Sequence, residues 1–247
     1  MSKFIFKIDH RVAQFFHDIF LWGGETTNHI FESISWIAEK GILFLALGFM
    51  LFLFKRTRKT GLTILLAIGL GFVATNLLLK NIIQRARPFE NITSDFHIWW
   101  VDAGANIEKG FSFPSGHTTA TTAFAMAILF TTNKDRSWSI AFLPLLMACS
   151  RMYLMVHYFT DCLGGLIVGA AVATLAYFIV KGIYRGKNKA CKFIQNFSIA
   201  SKNGNNSSSS ATSNAIEDFV YTPQNMEENA STENSESTDS NSNHEND

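Results

Sequence analysis

Apolar residues in this chain come in blocks close to span length, at 34–54, 61–79, 118–132, 139–156 and 161–180. A helix of roughly 20 residues rises about 30 Å, the thickness of a bilayer's hydrocarbon core. Inside that core only elements that satisfy their own backbone hydrogen bonds survive. The blocks therefore predict an all-α chain, a polytopic membrane bundle of about five or six helices in which four or five blocks span outright. Block 118–132 is short by itself and reaches span length if its helix starts near Ser115. Gly164, Gly165 and Gly169 give the last block a small-residue face on which another helix can pack. With 47% hydrophobic residues and 23 phenylalanines in 247 positions, the composition excludes a typical soluble domain.

Charge then orders the blocks. The net charge of +1 conceals a contrast, because nearly all Lys and Arg but only about half of Asp and Glu fall within residues 1–200. Basic clusters recur at Lys55-Arg56-Thr57-Arg58-Lys59, at Lys134-Asp135-Arg136 and across 181–192. The positive-inside rule places all three on the cytoplasmic side, which sends 80–114 and 156–161 together to the outer face. Residues 4–22 mix phenylalanines with charges at helical spacing, as an amphipathic helix on the membrane surface does, with a tilted first span as the alternative. Charges interrupt that segment and no small-residue cleavage site follows it, unlike a signal peptide. The domain reading is 1–30 interfacial, 31–182 membrane body, 183–200 basic juxtamembrane, and 201–247 a disordered acidic tail rich in Ser and Asn, placed in the cytoplasm. Cys149, Cys162 and Cys191 show neither metal spacing nor an evident disulfide partner.

Chemistry concentrates in three stretches at the outer face. Residues 149–161 place Arg151, His157 and Asp161 within an apolar region, where ionisable groups are expensive and usually functional. If a helix continues through them, His157 and Asp161 lie on one face, and the carboxylate fixes the imidazole tautomer. Arg151 offers a planar fork for phosphate oxygens but stands off that stripe, so reach or a local distortion must close the gap. An ion pair that merely locks helices is the plain alternative. In the second stretch Lys80 and Arg87 are seven apart and share a face if helical, Pro88 limits continuation, and Arg85 reads as a headgroup-facing cation. In the third, 113–119, Ser115 is an N-cap and Gly116 lets a ligand approach. Free amides there attract an anion, and His117 can donate a proton. The excess of cations over carboxylates suits a phosphate group. A metal centre needs more fixed ligands than these, with Asp102 and Glu108 in the intervening loop held by nothing evident, so neither metal nor cofactor is expected.

Lys80…Arg87-Pro88, Pro114-Ser115-Gly116-His117 and Ser150-Arg151…His157…Asp161 resemble the three signature motifs of the type 2 phosphatidic acid phosphatase (PAP2) superfamily, with no departure at a fixed position. The resemblance covers about residues 30–182 and looks most like small bacterial membrane members. It implies a helical bundle of the PAP2/haloperoxidase type and metal-independent hydrolysis of a phosphomonoester or diphosphate. By the same resemblance His157 is the nucleophile that becomes phosphohistidine, Asp161 orients it, and His117 protonates the leaving group. Lys80, Arg87, Arg151, Ser115 and Gly116 then hold the phosphoryl oxygens. Expected partners are a lipid bilayer and a membrane lipid phosphate (phosphatidate, phosphatidylglycerophosphate or undecaprenyl diphosphate), with no nucleic acid and no indication of oligomeric state. The competing readings are a vanadate-dependent haloperoxidase, whose relatives are typically soluble, and a catalytically silent lipid-binding or transport protein on the same scaffold.

Overall fold

The computed structural model describes residues 3–37, 41–132, 137–186 and 192. The acidic tail, most of the juxtamembrane segment with Cys191, the Lys134-Asp135-Arg136 cluster, Glu39 and Lys40 lie outside the described residues. Among the described residues all regular structure is helical. The elements are α1 (Lys3–Ile37), α2 (Ile42–Leu53), α3 (Arg58–Phe72), α4 (Asp95–Asp102), α5 (Gly116–Thr131), α6 (Phe142–Tyr153) and α7 (Phe159–Arg185). Helix α3 continues through a π-helical stretch, Val73–Leu79, and one more turn, Lys80–Ile83, before Gln84 stops it in a left-handed conformation at φ 48°.

Small residues decide how closely the helices approach. A methyl added at Gly169 of α7 would lie 2.6 Å from Thr122 Cβ and 2.7 Å from the Thr119 carbonyl, so α5 and α7 meet backbone to backbone. Gly165 meets the Ser115 carbonyl in the same way, as expected of the glycine face. Between α2 and α3, a methyl on Gly61 would lie 2.3 Å from the Phe52 amide. Helices α3, α5 and α7 pack on one another, α2 lies on α3, α6 lies against α5, and α1 crosses α6 and α7. The Arg58–Glu90 run and α7 are each long and apolar enough to cross a membrane. Leu77, Leu78, Ile167 and Phe178 point outward, an apolar surface of the kind a bilayer covers.

Four expectations change. Block 34–54 is divided, with α1 ending at Ile37, α2 starting at Ile42, and Gly41 in the left-handed region that terminates helices. The N-terminal segment is more than a surface helix: α1 breaks at Gly24, and its Asp9, Ala13 and Phe16 are buried in the protein. Arg58, read as part of a basic cluster on the cytoplasmic side, is 1% exposed and donates to the Phe52 carbonyl at 3.2 Å, closing the end of α2. The fourth block stops being helical at Tyr153, and Met155 turns the chain through φ 51° before α7 begins.

Candidate active site

His157 sits in that break between α6 and α7, so its relation to Asp161 is set by a turn and not by a continuous helix face. This is the distortion that Arg151 needed in order to share a site with His157. The freed Val156 carbonyl accepts from Arg87 Nη1 at 2.9 Å, which repairs the backbone bond lost at the turn. His157 Nδ1 lies 3.6 Å from Asp161 Oδ2, an ion-pair separation longer than a hydrogen bond, and 3.4 Å from Ser112 Oγ. Nε2 lies 3.4 Å from Arg87 Nη1. Burial drives the His157 imidazole down to about 4 against the opposing pull of Asp161, and Arg87 and Arg151 add to the burial. The ring is therefore uncharged at neutral pH, the state in which an imidazole can act as a base or a nucleophile.

Asp161 lies in the first turn of α7, where the helix N-terminus favours an anion. Its Oδ2 accepts from the Tyr158 amide at 2.9 Å and from Ser112 Oγ, and its Oδ1 accepts from Arg85 Nη1 at 2.5 Å. Arg85 thus faces the protein and not lipid headgroups, and it also donates to Asp9 at 2.7 Å. Ser112, Arg85 and Asp9 were not among the predicted site residues. Ser112 and Arg85 stand two residues before motif positions, but no spacing rule singles them out, and Asp9 lies in a segment without any motif.

Opposite this wall is a cavity of about 1350 Å³. Its polar lining includes Lys80, Arg151, Glu108, His117 and His157, and its apolar lining includes Trp36, Leu45, Ile68 and Phe72. The π-helical stretch precedes Lys80 directly; such insertions re-aim the residues that follow and recur at functional sites. Because α3 ends at Ile83, Lys80 and Arg87 do not share a helix face. Arg87 instead extends behind the cavity, buried, with Nε on the Gly110 carbonyl at 2.8 Å and Nη2 on the Lys109 carbonyl at 3.1 Å. Gly116 and His117 line the cavity, whereas Ser115 is fully buried and its Oγ accepts from the Thr118 hydroxyl at 3.0 Å and the Thr118 amide at 3.4 Å. Ser115 is the N-cap expected, with its hydroxyl committed to its own helix. Glu108, for which the sequence offered no partner, is held by Arg151 Nη2 and lies 3.6 Å from Arg87 Nη2. Among the described residues no group of three or more His, Cys, Asp or Glu is placed to hold a metal ion.

The PAP2 superfamily profile matches residues 60–185, more than half of the chain and the whole stretch that carries the three motifs. Phosphatidylglycerophosphatase B of Bacillus subtilis is 33% identical over 150 residues, covering 57% of this chain and 65% of the relative. An undecaprenyl-diphosphatase of Sulfolobus acidocaldarius is 27% identical over 128 residues, covering 51% of this chain and 58% of the relative. The chain thus matches less than two thirds of the length of these relatives. The crystal structure of a transmembrane PAP2 type phosphatidylglycerolphosphate phosphatase from Bacillus subtilis superposes with a TM-score of 0.55 at 24% identity, covering 76% of this chain and 90% of the other. Aquifex aeolicus LpxE superposes with a TM-score of 0.53 at 20% identity, covering 66% and 92%. The chain belongs to the PAP2 superfamily.

Proposed function

We propose that the protein is an integral-membrane lipid phosphate phosphatase that works without a metal. The carrying observation is a single cavity lined by His157, His117, Lys80 and Arg151 together with an apolar wall, room for a phosphate and the start of a lipid tail. In the first step His157 Nε2 forms a bond to phosphorus while the phosphorus–oxygen bond to the leaving group breaks. His117 gives its proton to the departing oxygen, and Lys80, Arg151 and the Gly116 amide stabilise the phosphoryl oxygens, with the Arg87 charge acting from behind the cavity. The phosphorylated imidazole is cationic, and Asp161 supports it. Water then attacks phosphorus as His117 takes its proton, the nitrogen–phosphorus bond breaks, and inorganic phosphate leaves.

The wider reading has five or six spans in a catalytic body over 31–182, the site at the outer face, and the acidic tail in the cytoplasm. The named relatives act on phosphatidylglycerophosphate or undecaprenyl diphosphate by their descriptions. Phosphatidate and these two lipids are therefore the substrates to compare. The test is phosphate release from each by detergent-purified protein, with and without EDTA and vanadate. We expect release from at least one lipid, unaffected by EDTA and blocked by vanadate. Loss of activity with EDTA and recovery with magnesium or zinc would refute the metal-free reading, and lipid binding without release would leave a silent binding protein.

A further inference from the structure

We infer that Asp9, on the N-terminal helix, is a positioning residue for the nucleophile, setting through Arg85 the charge that Asp161 presents to His157. The inference rests on the phosphohistidine reading above. Asp9 is 1% exposed, and a carboxylate so buried persists only when its oxygens are matched. They are matched by the wall behind the site. Oδ1 accepts from the Thr160 amide and the Thr160 hydroxyl, each at 3.0 Å, and Oδ2 accepts from Arg85 Nη2 at 2.7 Å. The same guanidinium places Nη1 on Asp161 Oδ1 at 2.5 Å, donates to Thr160 Oγ1 at 2.7 Å, and lies 3.9 Å over the Tyr158 ring. Neither Asp9 nor Arg85 lines the cavity, so neither is placed to touch substrate.

Two carboxylates sharing one arginine has a consequence for charge. With a neutral His157, the set Asp9, Arg85 and Asp161 carries one net negative charge, and formation of an imidazolium brings it to zero. Without the Asp9 charge, Arg85 would cancel Asp161, and the imidazolium would leave a buried net positive charge. Arg85 can therefore hold Asp161 in place without quenching it, because Asp9 takes up the arginine's charge. An interhelix clamp would need only the Asp9–Thr160–Arg85 contacts. It is the second guanidinium nitrogen, on Asp161, that connects α1 to the chemistry. The other groups that act on His157 are Arg87 beyond α3, Arg151 on α6, His117 on α5 and Glu108 in the preceding loop, with Lys80 lining the same cavity. Substituting Asp9 alters none of them.

The test uses full-length protein in detergent and two readouts against pH. One is the acid limb of kcat/KM, which falls as His157 takes a proton. The other is carbethoxylation of His157 by diethyl pyrocarbonate, followed by peptide mass spectrometry, which needs no turnover. Asp9→Asn is expected to lower kcat about tenfold at little-changed KM and to move both midpoints down by about one pH unit. Asp9→Glu is expected to restore them. Arg85→Gln, which leaves both carboxylates, is expected to move the midpoints up, so the sign remains testable if Asp9→Asn does not accumulate. The double variant Asp9→Asn/Arg85→Gln avoids a buried unpaired cation and is expected to return near the original midpoint. Unmoved midpoints with only lower yield or thermal stability would overturn the inference, as would shifts of the same sign in Asp9→Asn and Arg85→Gln. If the unaltered protein released no phosphate while the modification midpoints moved as stated, the phosphatase reading would fail and the charge coupling would stand.

Discussion

The two sides of the His157 ring lie in opposite kinds of surroundings. Behind Nδ1 is a closed wall in which Asp161 is bonded by Ser112, the Tyr158 amide and Arg85, and Arg85 in turn by Asp9. Beyond Nε2 are Arg87 and then an open cavity lined by Lys80, Arg151 and His117. On the closed side the carboxylate oxygens of Asp161 and Asp9 are matched by donors, which fixes geometry, as groups behind a reacting residue do when they orient it. The open side gathers cations without enough carboxylate to neutralise them, which leaves work for an incoming phosphate. On the proposed mechanism, orientation and reaction are separated across one imidazole, and substitutions on the two sides should have different signatures.

The largest effect is expected at the ring itself. His157→Ala should abolish both turnover and any labelled phosphoenzyme trapped by rapid quench, because the bond to phosphorus then has no donor. On the open side, His117→Ala should lose roughly 10²–10⁴ in rate, the usual worth of a general acid. That loss should be greater for a phosphomonoester, whose leaving alcohol needs a proton, than for a diphosphate, whose leaving phosphate needs little. If His157→Ala kept label and His117→Ala did not, the two roles would be exchanged. On the closed side, Ser112→Ala removes one hydrogen bond to a charged carboxylate, worth about 1.5–3 kcal/mol. About ten- to hundredfold in kcat should go, with KM little changed, since Ser112 does not line the cavity. A rise in KM with kcat intact would place Ser112 on the binding side and dissolve the distinction.

How much of this was legible depended on which side of the ring a residue serves. His117, His157, Lys80 and Arg151 announced themselves as ionisable groups beside apolar blocks, and blocks near span length predicted the helices. The closed wall carried no such signal. Asp9 and Thr160 are 151 residues apart, and nothing local to either indicates the pairing. Glu108 looked unattached because it lies in a loop and its partner, Arg151, comes from a helix 43 residues further on. The break at 154–158 was hidden as well: Leu154, Met155 and Val156 include neither glycine nor proline. Tertiary contacts from Arg87 overrode their helical tendency. Gly41 was the opposite case, a local signal inside an apolar block of span length: it takes a left-handed conformation at φ 70° just before α2.

The smallest expected effect sharpens the account of the open side. Glu108 is the carboxylate of its lining that is held by Arg151, the guanidinium a phosphate is expected to use, and it lies 3.6 Å from Arg87 behind it. Burial pushes its carboxyl up, but Arg151 foremost, with His117, Arg87 and His157, pulls it further down, below the ordinary carboxylate range. It is therefore ionised at assay pH and competes with the incoming anion for the same donors. Glu108→Gln keeps the shape and removes the charge, so KM for the lipid phosphate should fall and vanadate should inhibit more tightly. The change should be about three- to tenfold, reflecting the fraction of molecules in which the acid already lies aside. The sign of the pH dependence follows from the lowered carboxyl. The pairing stabilises the fold above the unfolded carboxylate's pKa and is lost as pH falls through the folded value, and the competition is lost over the same window. The ratio of the two KM values should therefore approach one on acidification, while wild type loses the thermal stability that its glutamate pairing supplied. A higher KM in Glu108→Gln would mean that the carboxylate's main service is to hold Arg151 in position, and the open side would then be ordered by its own salt bridge much as the closed side is by Asp9.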